Sequence, residues 1–429
     1  MISLPPICAR RQPQSIPGAL IQPKMRIFPV KPTIHSYGTL LFICCAIAFA
    51  SYFGSYLRIP VVPLFARELG ATTTEVGLIN AAFLVMSGLL SFPLGIVSDR
   101  WGRKSLITGG LLISLGTSLL LYFSATPRQL IWIYLLFGAG LAAVGPTLMS
   151  YVADISPPTH LGRSYGWYTT AIYTGMTIGP AAGGLLAHLW GYRPLFLIAG
   201  AFMLLVVLLE WVYLPDSRPP AEGRSQPEKG WGLTKDFFKN RALLGCLLLT
   251  LGGCFGQGMF VTFVPLYAQD QGLNIGQIGL VFALQAVANA VSRLPLGRLS
   301  DMVASRGRLA ALGFTSFGIA LAAVGLAHTL THFILTAIIL GFAMGLSFVP
   351  LGALVAETVP PQSRGLAMGG YNSCIYLGMM LSSALMGGVI QGLGFAGAYF
   401  LAGGLTLLVT GVFYLMIRDF SPAGEMKTP

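Results

Sequence analysis

Long apolar segments alternate with short polar segments along most of the chain. An α-helix needs about 20 apolar residues to cross the hydrocarbon core of a bilayer. The apolar segments are continuous rather than alternating in the pattern of a barrel strand, so we interpret them as helices. The pattern predicts an all-α membrane protein with twelve transmembrane helices, at about 39–57, 76–97, 105–124, 130–150, 164–188, 194–214, 242–268, 276–296, 309–327, 332–355, 366–391 and 395–417.

Composition supports this interpretation. Of 429 residues, 55% are hydrophobic and 9% are charged, whereas a soluble domain usually carries about 25% charged residues. The mean hydropathy of +0.74 excludes a soluble globular protein and a disordered one. The six cysteines form no CxxC pair, which favours free thiols over a disulfide framework, and no metal site is predicted.

The positions of the basic residues predict the orientation in the membrane. With both termini placed in the cytoplasm, 21 of the 26 Lys and Arg residues fall on the cytoplasmic side and 4 on the outer side, while Arg293 lies within a span. Membrane proteins concentrate Lys and Arg in cytoplasmic loops. We therefore expect a multi-pass protein of the plasma (inner) membrane with membrane lipid around it, cytoplasmic termini, no nucleic-acid partner and a monomeric state.

The chain divides into two similar halves. We predict a basic, Pro-rich cytoplasmic tail at 1–37, six-helix halves at 38–214 and 242–418, a cytoplasmic linker at 215–241 and a second tail at 419–429. We hypothesise that translation starts at Met25 rather than at Met1. Gly95–Asp99 recurs as Gly297–Asp301 at an offset of 202, and Asp154 and Tyr173 recur as Glu357 and Tyr376 at an offset of 203. Repeated membrane halves are typical of transporters whose substrate site lies between the halves near the bilayer midplane.

The polar segment that joins spans two and three carries a motif, Gly-Ile-Val-Ser-Asp-Arg-Trp-Gly-Arg-Lys, at residues 95–104. Its carboxylate suits a helix N-terminus, its second glycine suits a sharp turn, and Arg103 can pair with the acid of Asp154. We predict a conformational latch that holds one state and releases in the other. Its candidate residues, with their repeats, are Gly95, Asp99, Arg100, Gly102, Arg103, Lys104, Asp154, Asp301 and Glu357.

This motif resembles the signature of the major facilitator superfamily, and the resemblance extends over roughly residues 38–418. Two further motifs resemble those of the twelve-span drug:proton antiporter branch. One lies in span one and comprises Gly54, Arg58, Pro60 and Pro63; the other lies in span five and comprises Gly175, Gly179, Pro180, Gly183 and Gly184. The span-five motif resembles a feature of exporters. We expect Pro180 to kink its helix and the glycines to let span five press against a partner helix, with span eight as the expected partner.

One departure from that branch concerns proton coupling. Tyr134 stands where the branch has an arginine in span four, and Phe137 stands where it has a glutamine. The resemblance therefore does not predict proton coupling through this position, and Arg58 becomes a candidate for gating or coupling.

Charged and polar side chains within spans are functional candidates because burying them in lipid is costly. Arg293 lies in span eight, where snorkelling or pairing with Asp301 competes with a functional role. Glu210 is expected near water at the end of span six. The candidate substrate cavity comprises Tyr56, Asn80, Tyr173, Gln257, Phe260, Asn289, Asn372 and Tyr376.

These features favour a secondary active transporter over an enzyme. The spans hold no HExxH motif or clustered catalytic residues, and no Walker A motif occurs, so we expect no cofactor and a proton gradient as the energy source. The nearly uncharged centre favours a small amphipathic or hydrophobic substrate, exported in exchange for protons. An importer or facilitator of a neutral metabolite is the alternative, and a non-transporting scaffold or receptor is the alternative from another class.

Overall fold

The computed structural model describes residues 36–157, 160–215, 240–303, 305–359 and 364–417. Most of the predicted N-terminal tail, nearly all of the predicted linker and the C-terminal tail lie outside these ranges.

Helices account for nearly all of the described residues. They are α1 (Tyr37–Tyr56), α2 (Val61–Glu68), α3 (Thr73–Trp101), α4 (Arg103–Phe123), α5 (Pro127–Ile155), α6 (Leu161–Trp190), α7 (Tyr192–Tyr213), α8 (Arg241–Asp270), α9 (Ile275–Met302), α10 (Arg306–Val324), α11 (Leu330–Glu357) and α12 (Arg364–Ile417).

Twelve membrane spans follow from these helices, as predicted. Ten stretches within the described residues are long and apolar enough to cross a membrane, and the longest is Ala367–Ile417. This stretch is two spans, because the backbone leaves the helical region at Gly394, where φ is 71°. The α6 helix is the remaining span; it has 30 residues, and glycine, threonine and tyrosine lower its hydropathy.

Span one is longer than predicted. The sequence places its end near residue 57 and puts Arg67 in an outer loop, which is wrong, because the helix is only interrupted at 57–60 and resumes as α2. Pro60 and Pro63 lack the N–H groups that would continue the ladder of hydrogen bonds. Residues 61–66 are all buried, so packing keeps the restarted helix in place.

The helix ends define two faces of the bundle. We call the face with the connections at 69–72, 124–126, 271–274 and 325–329 the hairpin face. The face with Gly102 and with the described connecting residues 156, 157, 303 and 305 is the motif face. On the hairpin face, α3 and α9 begin with equivalent capping boxes, Thr72 with Glu75 and Asn274 with Gln277. Each box satisfies backbone N–H groups that the first helical turn leaves free.

The same helix pairs occur in both halves. In the first half α1 packs on α6, α5 on α3 and α4, and α4 on α7. In the second half α8 packs on α12, α11 on α9 and α10, and α10 on α12. The internal repeat seen in the sequence is therefore a repeat of packing, and it gives two pseudo-symmetric halves.

Small residues bring the two halves together along two equivalent seams, α6 with α9 and α12 with α3. A methyl group placed on Gly184 would lie 2.7 Å from the Cα of Gly279, and one on Gly387 would lie 2.6 Å from the Cα of Thr74. Backbones approach this closely in membranes where side chains are absent or small.

The hydrophobic cores differ between the two faces. On the hairpin side one continuous core joins both halves and includes Phe65 and Phe137 of the first half and Phe263 and Phe333 of the second. On the motif side the cores are separate, one around Leu148 in the first half and one around Phe314 in the second. The halves are thus closed together on the hairpin side and packed independently on the motif side.

The prediction that the span-five glycines press against span eight is only partly right. A methyl group on Gly175 would lie 2.6 Å from the carbonyl oxygen of Phe49, and one on Gly179 would lie 2.8 Å from the Cβ of Tyr56. One on Gly183 would collide with the backbone of Leu57. Three glycines therefore face α1 in the same half, and only Gly184 faces span eight, because successive turns of a helix present its small residues to different neighbours.

Gly183→Ala should destabilise the protein, because its new methyl group meets backbone rather than a movable side chain. Overpacking of this kind costs about 1–3 kcal/mol. Thermal unfolding in detergent should show a lower Tm for Gly183→Ala. The matched control is Gly116→Ala, where the space is open and the better helix propensity of alanine keeps or raises the Tm. Equal melting temperatures for the two variants would contradict the close contact with α1.

An ion pair joins the halves on the hairpin face. Arg67 of α2 donates through Nη1 to Asp270 Oδ1 at 2.5 Å and through Nη2 to Asp270 Oδ2 at 3.1 Å, and it also donates to the carbonyl of Leu266 at 3.2 Å. Thr73 Oγ1 donates to the carbonyl of Gly387 at 3.0 Å. Arg67 and Thr73 thus both make hydrogen bonds between the halves on this face.

Asp270→Asn should favour opening of the hairpin face. A partly exposed ion pair contributes up to about 1 kcal/mol, which corresponds to about a fivefold change in the open population. A membrane-impermeant maleimide should then label a cysteine introduced at Thr74 up to about fivefold faster than in the parent protein. The charge-swapped pair Arg67→Asp with Asp270→Arg should return the rate towards the parent value, and an unchanged rate in Asp270→Asn would contradict a closing role.

Candidate functional site

Tyrosines from both halves cluster at the middle of the interface between the halves. Tyr52 and Tyr56 come from α1, Tyr173 from α6, and Tyr371 and Tyr376 from α12. We call these residues the tyrosine cluster. The rings of Tyr52 and Tyr56 lie 6.2 Å apart. The hydroxyl group of Tyr376 lies close enough to the hydroxyl groups of Tyr52, Tyr56 and Tyr173 for a charge on one to be felt by the others. The cluster offers aromatic faces for apolar contact and hydroxyl groups for hydrogen bonding.

Arg293 lies against this cluster rather than at the water boundary. Its guanidinium carbon is 4.2 Å from the centroid of the Tyr173 ring, and its Nε donates to Asn289 Oδ1 at 3.2 Å. Because Tyr173 belongs to the first half and Arg293 to the second, this contact crosses the interface. Stacking on Tyr173 does not fit snorkelling to the water boundary. Pairing with Asp301 stays a prediction, because the side chain of Asp301 lies outside the described residues.

The residues predicted to line the substrate cavity do not all lie together. Tyr56, Tyr173, Tyr376 and Asn289 come together, and Asn372 is exposed one residue after Tyr371. Phe260 does not join them, because it is buried in the hairpin-side core with its ring 5.2 Å from that of Phe282. Asn80 is buried and its amide nitrogen has no hydrogen-bond partner, whereas Gln257 is half-buried.

Two members of the cluster were missed by sequence reasoning. Tyr52 lies four residues before Tyr56, which puts both on one face of α1. Tyr371 lies five residues before Tyr376 and within electrostatic range of Arg293 and Tyr173. The spacing of Tyr52 was a usable signal, whereas that of Tyr371 was not.

Arg58 is the largest fully buried side chain of the described residues. It lies in the break between α1 and α2 and points into the first half. Its Nη1 donates to Thr117 Oγ1 at 3.1 Å, and its guanidinium carbon lies 3.9 Å from the centroid of the Phe137 ring. Its Nε and Nη2 and the Tyr134 hydroxyl have no hydrogen-bond partner among the described residues. Arg58 therefore contacts Thr117 of span three and reaches the part of span four where Tyr134 and Phe137 stand.

Equivalent ion pairs occur on the motif face of each half. Arg103 at the start of α4 forms a bidentate pair with Asp154 near the end of α5. Arg306 at the start of α10 pairs with Glu357 at the end of α11. Both partners recur at the offset of 203, so Arg306 is the repeat of Arg103. The sequence match at 297–301 does not reveal this equivalence, because Met302–Ser305 replaces the turn that Gly102 makes in the first half.

Several predicted motif residues can be placed only in part. Gly102 takes a φ of 96° between α3 and α4, which is a conformation that glycine adopts at no steric cost. Lys104 donates to the carbonyl of Trp211 at 2.9 Å. The motif ion pairs lie within halves rather than between them. The side chains of Asp99 and Arg100 and the surroundings of Gly95 lie outside the description.

Glu210 is not near water, contrary to the expectation. It is fully buried, and it accepts hydrogen bonds from Thr108 Oγ1 at 2.8 and 3.0 Å. The α4–α7 contact covers the end of span six and leaves this carboxylate inside the first half.

A cavity of about 460 Å³ opens on the hairpin face between the halves, with Glu68, His188, Arg193 and Asn274 among its lining residues. It lies on the closed side of the protein and apart from the tyrosine cluster. The tyrosine cluster with Arg293 is therefore the better candidate for a substrate site at mid-membrane depth.

Comparison with known proteins agrees with this architecture. The family model described as Major Facilitator Superfamily matches residues 44–309 and 250–428. An uncharacterized MFS-type transporter of Methanocaldococcus jannaschii is 27% identical over 381 residues, which cover 88% of this chain and 98% of that protein.

Two relatives carry drug-resistance names and align over shorter lengths. The quinolone resistance protein NorA of Staphylococcus aureus is 28% identical over 223 residues, covering 52% of this chain and 57% of NorA. Multidrug resistance protein 1 of Bacillus subtilis is 28% identical over 251 residues, covering 58% of this chain and 63% of that protein. The matched region spans less than two thirds of each of these two relatives.

Solved structures share the fold at low sequence identity. An inward-facing, occupied structure of a bacterial homologue of the human lysosomal transporter Spinster has a TM-score of 0.74 and 18% identity, covering 89% of this chain and 97% of that one. The POT family transporter PepTSo has a TM-score of 0.72 and 14% identity, covering 88% and 97%. With its twelve spans, two similar halves and matching family model, this integral multi-pass membrane protein belongs to the major facilitator superfamily of transporters.

Proposed function

We propose that this protein exports small amphipathic or hydrophobic compounds by alternating access and proton antiport. The observation that carries the proposal is the contrast between the faces: one core shared by both halves on the hairpin side and separate cores on the motif side. This contrast supports a state in which the tyrosine cluster is accessible from the motif face.

The two halves are suited to rock against each other as rigid bodies. Each half has its own internal helix contacts and its own motif-face ion pair, Arg103 with Asp154 and Arg306 with Glu357. The hydrogen bonds found between the halves are few and lie on the hairpin face. Rocking would therefore break a small set of polar contacts while the packing inside each half persists.

The tyrosine cluster supports an amphipathic substrate. Aromatic rings provide large contact areas with little loss of conformational entropy, and their hydroxyl groups can orient polar atoms. The names of the related proteins from Staphylococcus aureus and Bacillus subtilis refer to resistance to quinolones and to multiple drugs. Together with the span-five motif, these names favour export over import.

Proton antiport is proposed as the energy source, and Arg58 is the candidate coupling residue. A buried guanidinium with two unpaired donor groups is costly to maintain, which favours a functional reason for its presence. Because arginine stays protonated in proteins, Arg58 would act by stabilising or repelling charge on other groups rather than by carrying the transported proton.

Dye transport in inside-out vesicles tests the proposal. With lipophilic dyes of different charge, Hoechst 33342 (cation), dansylamide (neutral) and dansylglycine (anion), and an imposed proton gradient, vesicles that contain the protein should accumulate at least one dye, and collapse of the gradient by nigericin should abolish the accumulation. Vesicles without the protein are the control. Movement of a polar neutral metabolite with no dye movement would favour the importer, and failure to move any compound would favour a non-transporting scaffold.

The motif-face ion pairs give a second test. Arg103→Gln and Arg306→Gln should slow dye transport to a similar extent, because the two arginines are equivalent in the repeat and each pairs with a helix-end carboxylate. Initial rates at matched membrane levels are the measurement, and Arg128→Gln, which removes an exposed arginine on the hairpin face, is the control. A tenfold difference between the two losses would contradict their equivalence.

A further inference from the structure

The charge at the centre of the protein is unbalanced. Arg58 and Arg293 are described arginines that lie well inside the spans, and Arg58 points into the packing of the first half. Arg293 is the one that contacts the tyrosine cluster. Any substrate held between the halves would therefore meet the charge of Arg293 rather than that of Arg58.

Among the ion pairs of the described side chains, none joins a carboxylate to Arg293. The chain has 14 Asp and Glu residues, and all lie near helix ends, in the linker or in a tail. The buried carboxylate Glu210 is near the motif-face end of α7 and is held by Thr108 in the first half. Among the described side chains, the middle of the interface is thus positively charged and has no acid to attract a cation.

The guanidinium is oriented to receive an anion. One of its faces stacks on Tyr173, and its Nε is engaged by Asn289. Its two Nη groups have no hydrogen-bond partner among the residues that the structure describes. This end of an arginine presents parallel N–H donors that match the two oxygens of a carboxylate, and the side chain is only half-buried.

The neighbouring rings favour an aromatic or apolar body on the same substrate. Tyr173 is 42% exposed, and Tyr56 and Tyr376 lie within electrostatic range of it. An aromatic group can stack among these rings while its acidic group reaches Arg293. A cation of the same shape would be repelled by the guanidinium, and in a site of low dielectric this repulsion is weakly screened.

We propose that Arg293 determines substrate charge and that the site prefers amphipathic aromatic monoanions, such as aromatic carboxylates, over neutral and cationic analogues. This inference rests on the proposed function, because it assigns a substrate class to the same interface. Asn289 is a positioning residue that holds the guanidinium through Nε.

Three dyes with one fluorophore and different charges test the proposal: dansylglycine (anion), dansylamide (neutral) and dansylcadaverine (cation). Binding to the purified full chain in detergent is followed by dansyl fluorescence at pH 7.5. The wild-type protein should bind dansylglycine at least about tenfold more tightly than dansylcadaverine, with dansylamide between them. Arg293→Gln should weaken dansylglycine about tenfold and change dansylamide less than twofold.

Matched variants separate charge from folding. Arg293→Lys keeps the positive charge and should recover part of the affinity for dansylglycine, whereas the surface variant Arg128→Gln should bind all three dyes as the wild type does. Thermal unfolding of each variant reports whether it is folded, and the wild-type ranking of the dyes does not depend on any variant.

The outcomes distinguish this inference from the proposed function. Tighter binding of dansylcadaverine than of dansylglycine, or unchanged dansylglycine affinity in folded Arg293→Gln, would overturn the charge preference while leaving an amphipathic exporter. Failure of all three dyes to bind would overturn both.

Discussion

The closed arrangement of the two halves depends on the hydrophobic core that they share on the hairpin side. Lipid offers no hydrophobic driving force for bringing helices together, so membrane helices associate through close packing and interhelical hydrogen bonds. Gly184 against Gly279 and Gly387 against Thr74 provide that closeness along two equivalent seams, and Arg67 with Asp270 adds a polar contact. Few polar contacts hold this side closed, so the closed and open states can be close in free energy.

Pseudo-symmetry explains why these contacts come in pairs. The offsets of 202 and 203 relate the two capping boxes, the two motif-face ion pairs and the two glycine seams. Arg67 and Asp270 are themselves separated by 203 positions, so they are equivalent positions that meet each other across the interface. Arg58 and Arg293 are exceptions to the repeat, because neither has a charged counterpart in the other half. This asymmetry is expected where a substrate or an ion, rather than the fold, requires the charged side chain.

Much of the fold could be predicted because hydropathy and the positions of Lys and Arg depend on the membrane itself. The twelve spans and the repeat follow from such patterns. The surroundings of individual side chains do not, because the rotation of each helix is set by packing. Phe260 faces the hairpin-side core, α4 covers Glu210, and Gly175, Gly179 and Gly183 face α1. Arg306 was missed because the turn before it has diverged, and Arg67 because a helix resumes after two prolines.

The most direct measurement follows the distances between the halves on both faces of one protein. Spin labels at Arg128 and Thr331 report the hairpin face, and labels at Ser105 and Arg308 report the motif face; all four positions are exposed and equivalent in the repeat. When a transported dye and a proton gradient are applied, pulsed electron–electron double resonance should show the hairpin-face distance lengthening as the motif-face distance shortens. Two distances that stay fixed, or that change in the same direction, would contradict rocking of two halves about a shared centre.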